Sequence, residues 1–199
     1  MSALYERLKN LLAAGHAAQP EGLRDDIIYA PDAAKLRGAA VLIAVTEREE
    51  PGVLLTHRPL EMRTHAGQVA FPGGKIDPGE DAITAALREA HEELGIAPDH
   101  VKVIGPTDDY RTGSGFHITP VVGVVPGNLT ITPNPGEVAD WFEAPLRFLL
   151  DPSNHSEKSI IYKGVRRHYL DMPWQGRYIW GATAAMIHNL SRRIRHDDL

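Results

Sequence analysis

Three glutamates, Glu89, Glu92 and Glu93, crowd together just before Gly95. Carboxylates so placed can hold a hard divalent cation through oxygen, or take a proton from water. Gly74, Glu80 and Arg88 precede them, and a further acid, Glu137, follows a stretch broken by Pro126-Gly127 and Pro133-Asn134-Pro135-Gly136. Residues 81–94 read as a helix, with Ile83, Ala86, Leu87, Ala90 and Leu94 sharing an apolar face. At roughly 100° per residue, the three glutamates fall in a sector of roughly 100° on nearly the opposite side.

That arrangement opposes itself electrostatically. Like charges at i,i+4, as in Glu89 and Glu93, cost about 0.2–0.5 kcal/mol. Gly95 is a natural stop, so Glu92 and Glu93 sit in the last turn, where the helix dipole disfavours each anion by about 0.3–1 kcal/mol. Arg88 can pair with Glu92 only in the weaker, cation-first order, and one guanidinium cannot neutralise three carboxylates. A bound Mg²⁺ or Mn²⁺ converts this repulsion into binding energy. The competing reading is a solvated acidic face; acids at the wrong helix end favour the metal.

The elements around this helix follow from pattern. Leu4, Leu8, Leu11 and Leu12 predict an amphipathic helix over 3–15, leading into a looser segment. Ala39 to Val45 reads as a buried strand, with Val53-Leu54-Leu55 as its hairpin partner across Pro51-Gly52. Strands are expected at 101–105, 118–125, 141–143, 160–162 and 165–170, and a closing helix at 182–194. The proline-glycine turns around 126–136 predict a short hairpin between them. This order implies an α/β chain with a mixed sheet and helices packed against it. Residues 1–37 are expected to be an N-terminal helix and lead-in, and 38–199 the main domain.

Residues Gly74 to Ile96 resemble the Nudix box. Gly74, Glu80 and the run Arg88-Glu89-Ala90-His91-Glu92-Glu93-Leu94-Gly95-Ile96 fill its polar and glycine positions, with Ala90 in the small aliphatic slot. The resemblance implies an α/β/α sandwich with a loop-helix-loop. It assigns metal binding to Glu89, Glu92 and Glu93 with the Gly74 carbonyl, and a bracing role to Arg88 and Glu80. Upstream, Leu54-Leu55-Thr56-His57-Arg58-Pro59, then Arg63, Gly67 and Phe71-Pro72-Gly73-Gly74, resemble the signature of coenzyme A pyrophosphatases; Pro59 stands where that signature has Ser or Ala. Thr119 to Gly123 and Glu137 to Leu146 are similar to that subfamily too.

The implied reaction is metal-dependent attack of water on a pyrophosphate, with coenzyme A or a derivative as substrate. Arg63, Arg58, Gly67 and Phe71 are then the substrate-side candidates, a guanidinium offering paired donors to phosphate. Either Glu93 or Glu137 could accept the water's proton, so Glu89, Glu92, Glu93 and Glu137 form the catalytic set. ADP-ribose or another nucleoside diphosphate derivative is the alternative substrate, and a non-catalytic binding module the alternative function.

Composition narrows these readings. The 199 residues, 43% of them hydrophobic, can bury one substantial core. A formal net charge of -5 gives no general attraction for nucleic acid. With no cysteine, neither disulfides nor thiolate metal sites are available. No apolar run approaches the roughly 18 residues of a membrane span. A soluble cytoplasmic protein with a small nucleotide substrate is expected, and the resemblance allows a homodimer.

Overall fold

Why residues 37–47 form the centre of the molecule is visible in their alternation. In the computed structural model, which describes residues 2–18, 20–30, 32, 34–60, 67–162 and 164–199, they form strand β1 (Arg37–Glu47). Ala40, Leu42 and Ala44 point to one side of the sheet, and Val41, Ile43 and Val45 to the other, each into its own apolar cluster. A strand buried on both faces needs such a continuous apolar run. Around it lie β2 (Gly52–His57), β3 (Val69–Ala70), β4 (Gly73–Lys75), β5 (Lys102–Pro106), β6 (Tyr110–Arg111), β7 (Phe116–Pro126) and β8 (Asp140–Pro145).

The sheet runs β3-β2-β1-β7-β5, with β8 on β2, β4 on β1 and β6 on β7. β1 and β7 are parallel from Arg37↔Phe116 to Glu47↔Pro126, whereas the other pairs are antiparallel. The sheet is therefore mixed. β9 (Ser156–Tyr162), β10 (Val165–Trp174) and β11 (Arg177–Trp180) form a separate antiparallel sheet.

Helix α2 (Ala82–Leu94) covers one face of the main sheet. On the other lie α1 (Ala3–Ala17), α3 (Leu146–Leu150) and α4 (Gly181–Arg193). This is the α/β/α sandwich expected from the sequence. Leu8 and Leu12 of α1 belong to the same buried cluster as Ile43, Leu55 and Ile187. Among the described residues, no helix is long and apolar enough to cross a membrane.

Residues 127–139 correct one expectation: they contain no strand, so the short hairpin is absent. Pro133 and Pro135 have no amide hydrogen to give to a ladder. The remaining amides go elsewhere. Thr132 donates to the Leu94 carbonyl and Asn134 to the Glu93 carbonyl, both at 2.9 Å, satisfying two of the acceptors that end α2. Leu129 and Ile131 pack against the core under that helix. The segment is thus a clasp over the helix end that carries the acids.

Candidate functional site

Local chemistry sets both ends of α2. The Asp81 carboxylate accepts from the Thr84 amide at 2.7 Å, capping the first turn. At the other end Gly95 adopts φ +70°, and its amide returns to the Ala90 and His91 carbonyls. Glycine takes that left-handed conformation without the cost a Cβ imposes.

Between these caps the acids are not equivalent, which corrects the picture of one solvent-facing acidic sector. Glu93 is only 4% exposed. It follows Ala86 by seven residues, and a straight helix drifts only ~20° per heptad, so the two share the face that packs on the sheet. There its carboxylate accepts from the Gly73 amide at 3.1 Å. Glu92 is exposed, and its carboxylate accepts from Arg88 at 3.1 Å. Glu89 is half-buried between them.

The clasp brings in the remaining acid. Oxygens of Glu89, Glu93 and Glu137 all lie within 4.8 Å of one another, a grouping able to hold a divalent cation. Glu92, also expected as a ligand, is not part of it. The electrostatics register the crowding: burial above all, with the charges of Glu89 and Glu137 adding, pushes Glu93 up to about 8, against the opposing pull of the Gly73 amide and Arg58. Burial also raises Glu89, opposed by its hydrogen bond from Arg88.

Arg88 braces the approach to the site. Its Nε and Nη2 donate to the two oxygens of Glu80 at 2.9 and 3.0 Å, Nη1 to Glu89 at 2.9 Å, and Nη2 also to the Lys75 carbonyl at 3.0 Å. Glu80 in turn accepts from the Asp77 amide. The loop before the helix, the helix and β4 are thus tied through one guanidinium. Glu80 is held below the usual carboxylate range, first by the Arg88 hydrogen bond.

Gly74 has a geometric reason to be glycine. A Cβ there would come within 2.4 Å of the Glu89 carboxylate. A Gly74→Ala variant is therefore expected to push Glu89 out of the cluster and to raise the Mg²⁺ concentration needed for activity about 10- to 100-fold, the range seen when groups supporting metal ligands are lost. Unchanged Mg²⁺ dependence in a folded variant would contradict this packing argument.

On the substrate side, the Arg58 amide donates to the Gln68 carbonyl and the Gly67 amide to the Arg58 carbonyl, so β2 and β3 are drawn together beyond their ladder. Gly67 is a turn glycine, φ +66°. The Nε of Arg58 is buried with no hydrogen-bond partner among the described residues, and its charge reaches Glu93. Phe71, a substrate candidate from the sequence, is 2% exposed and packs in the core, leaving little surface for a ligand. Arg63 lies outside the described residues. The Gly73 amide is the functional group that sequence reasoning passed over: glycines there signal backbone geometry, and nothing in the local pattern says that the freed amide meets a carboxylate twenty residues on.

Comparison with known proteins identifies the family. The NUDIX domain family matches residues 36–163. A Yersinia pestis (strain Pestoides F) protein described as the uncharacterized Nudix hydrolase NudL is 44% identical over 160 residues, 79% of this chain and 80% of its own. A Yersinia pseudotuberculosis (serotype O:1b, strain IP 31758) protein of the same description shows the same identity and coverage. Among solved structures, the M. smegmatis Nudix hydrolase RenU superposes with a TM-score of 0.49 and 27% identity, over 55% of this chain and 71% of that one. A family match across more than half of the chain, joined by relatives this similar over most of their length, places the protein in the Nudix hydrolase family.

Proposed function

We propose that this chain hydrolyses the pyrophosphate bond of coenzyme A, or of its acyl or oxidised derivatives, releasing 4'-phosphopantetheine and adenosine 3',5'-bisphosphate from coenzyme A itself. The observation that carries the reaction class is the convergence of the Glu89, Glu93 and Glu137 oxygens beside Gly74. The substrate rests on the upstream signature, Leu54 to Gly74, in which the charge of Arg58 reaches Glu93. Residues 38–199 are taken as the hydrolase domain and 1–37 as its lead-in.

The donor set fits a hard cation. All three groups are carboxylates, and the chain offers no thiolate, a combination that suits Mg²⁺ or Mn²⁺ over softer ions. Glu89, Glu93 and Glu137 would hold it, with the Gly74 carbonyl, and Glu92 once released from Arg88, as further oxygen donors on the family pattern. When bound, such an ion lowers the pKa of water and offsets phosphate charge.

The chain's own groups do the rest. Arg58, and Arg63 five residues on in the sequence, are the guanidiniums we assign to the phosphates, and their charge is worth most where water is excluded. Glu137 is the carboxylate we assign as proton acceptor. It is half-exposed on the clasp, whereas Glu93 is sealed from solvent and held by the Gly73 amide. An acceptor must reach the proton on the attacking water, and the less enclosed carboxylate has that access.

The test is product analysis by mass spectrometry after incubation with coenzyme A and Mg²⁺, beside ADP-ribose, NADH and deoxynucleoside triphosphates at matched concentration. Coenzyme A is expected to be cleaved to the two products above, with the highest turnover of the panel. Equal or faster cleavage of ADP-ribose discards the substrate assignment and keeps the reaction class; no cleavage of any phosphoanhydride discards both.

A further inference from the structure

Apart from the acidic cluster, two histidines on the α4 side of the molecule face each other in a way that their protons do not complete. His155 follows the short turn Pro152–Asn154, and His188 lies on α4. Their Nδ1 atoms are 3.2 Å apart, with the rings edge-to-face. At their far sides, the His155 Nε2 is 2.7 Å from the Leu149 carbonyl and the His188 Nε2 is 3.3 Å from the Gly22 carbonyl.

Carbonyl oxygens only accept, so both Nε2 atoms carry hydrogen when these contacts are hydrogen bonds. Two neutral imidazoles hold one proton each. With both spent on carbonyls, the two Nδ1 atoms oppose lone pairs at hydrogen-bond distance. Three contacts need three protons, and the neutral pair supplies two. A third proton, or a metal cation in its place, between the Nδ1 atoms resolves the conflict.

We propose that His155 and His188 form a second metal site, for a divalent transition ion of the zinc class, bound through their two Nδ1 atoms. Two features of the geometry support an ion over a shared proton. With Zn–N of about 2.0–2.1 Å and a tetrahedral angle, two ligand nitrogens lie about 3.3–3.4 Å apart, close to the spacing found. Metal-ligating histidines also typically donate their other N–H to a carboxylate or backbone carbonyl, which fixes the tautomer, and here both rings place Nε2 against a backbone carbonyl. Imidazole nitrogen selects zinc, copper or nickel over magnesium, so this site and the carboxylate cluster sort different ions.

The surroundings keep the rings available as neutral ligands. Burial is the main cause lowering His155, against the Leu149 carbonyl and Asp151, and also the main cause lowering His188, with Arg24 and Arg192 adding to it. No third His, Asp or Glu among the described residues joins the pair, so water would complete the ion's coordination. The ion would be a clasp. Gly22 belongs to the segment whose Arg24 backbone exchanges hydrogen bonds with Asn189 on α4, and whose Glu21 carbonyl accepts from Arg192. Tying His188 to His155 joins that segment to the end of α3.

The test is a Zn²⁺ titration of the full chain labelled with ¹⁵N-histidine, with excess Mg²⁺ present to occupy the carboxylate cluster. Both Nδ1 resonances are expected to shift together by one equivalent of zinc while the Nε2 hydrogens stay in place. His155→Gln and His188→Gln should each weaken zinc binding at least tenfold by calorimetry. Zinc that shifts only other histidines, or variants that bind it as wild type does, overturns the proposal. So does a proton shared between the Nδ1 atoms at neutral pH that zinc fails to displace. If a glutamine variant does not fold, the resonances of the wild-type chain decide alone.

Discussion

Glu93→Gln is expected to abolish Mg²⁺-dependent turnover, by about 10³-fold or more in kcat, while making the metal-free protein more stable at alkaline pH. The first effect removes a charge from the cluster that holds the cation; the several kcal/mol a bound metal supplies to the transition state correspond to at least three factors of ten. The second follows from linkage. Glu93 is pushed up to about 8 by burial, from an ordinary 4.5. Between those two values the folded state keeps a proton that the unfolded chain has lost, so stability falls as pH rises through this window. Above pH 8 the penalty is fully present, roughly 5 kcal/mol at ~1.4 kcal/mol per pH unit. Glutamine keeps an oxygen for the Gly73 amide and carries no charge, so the penalty disappears.

The measurement is thermal unfolding of both proteins at pH 5 and pH 8.5, with and without Mg²⁺. Without metal, the variant should melt about 10–20 °C above wild type at pH 8.5 and near it at pH 5. Added Mg²⁺ should close the gap by stabilising the wild type alone. Equal melting at pH 8.5 would remove the case for a buried, uncompensated carboxylate, and retained turnover would remove Glu93 from the metal site.

Arg88→Ala is expected to lower kcat/KM about 10²-fold although Arg88 need not touch substrate. Its guanidinium holds Glu80, Glu89, Glu92 and the Lys75 carbonyl together. Without it Glu89 loses the cation that opposes its burial, and β4, which bears Gly74, loses its tie to the helix. Displacing catalytic groups by an ångström costs about 10²-fold. Arg88→Lys should recover little of the loss, because one ammonium cannot reproduce the paired donors that face both Glu80 oxygens. Rescue by lysine to near wild-type activity would show that charge alone matters there and would discard the bracing role. The Mg²⁺ concentration for half-maximal activity should rise in both variants, a change that plain loss of folded protein would not produce.

Helix α2, its stop at Gly95 and the pairing of β1 with β2 were legible from local pattern. Each depends on residues near in sequence: a helical period, a glycine free to adopt φ +70°, a turn at Pro51-Gly52. The burial of Glu93 was partly legible and misread, because assigning it to the polar sector overlooked its heptad relation to Ala86. The clasp at 127–139 was misread for a different reason. Proline and glycine mark turns, but whether the amides between them meet a neighbouring strand or a helix end depends on what the rest of the chain brings there.

The sequence by itself determined which groups are available and at what local spacing: the acids of 89–93, the Gly-Glu-Arg frame around them and a donor set without thiolates. These follow from side-chain chemistry and a 3.6-residue period, neither of which needs distant contacts. Only the tertiary structure decided which acids meet. Glu137 reaches Glu89 and Glu93 because the clasp donates to the last carbonyls of α2, while Glu92, nearer in sequence, turns outward to Arg88. These carboxylates converge because backbone hydrogen bonds hold their segments together against burial and repulsion, and that balance is struck between segments more than forty residues apart.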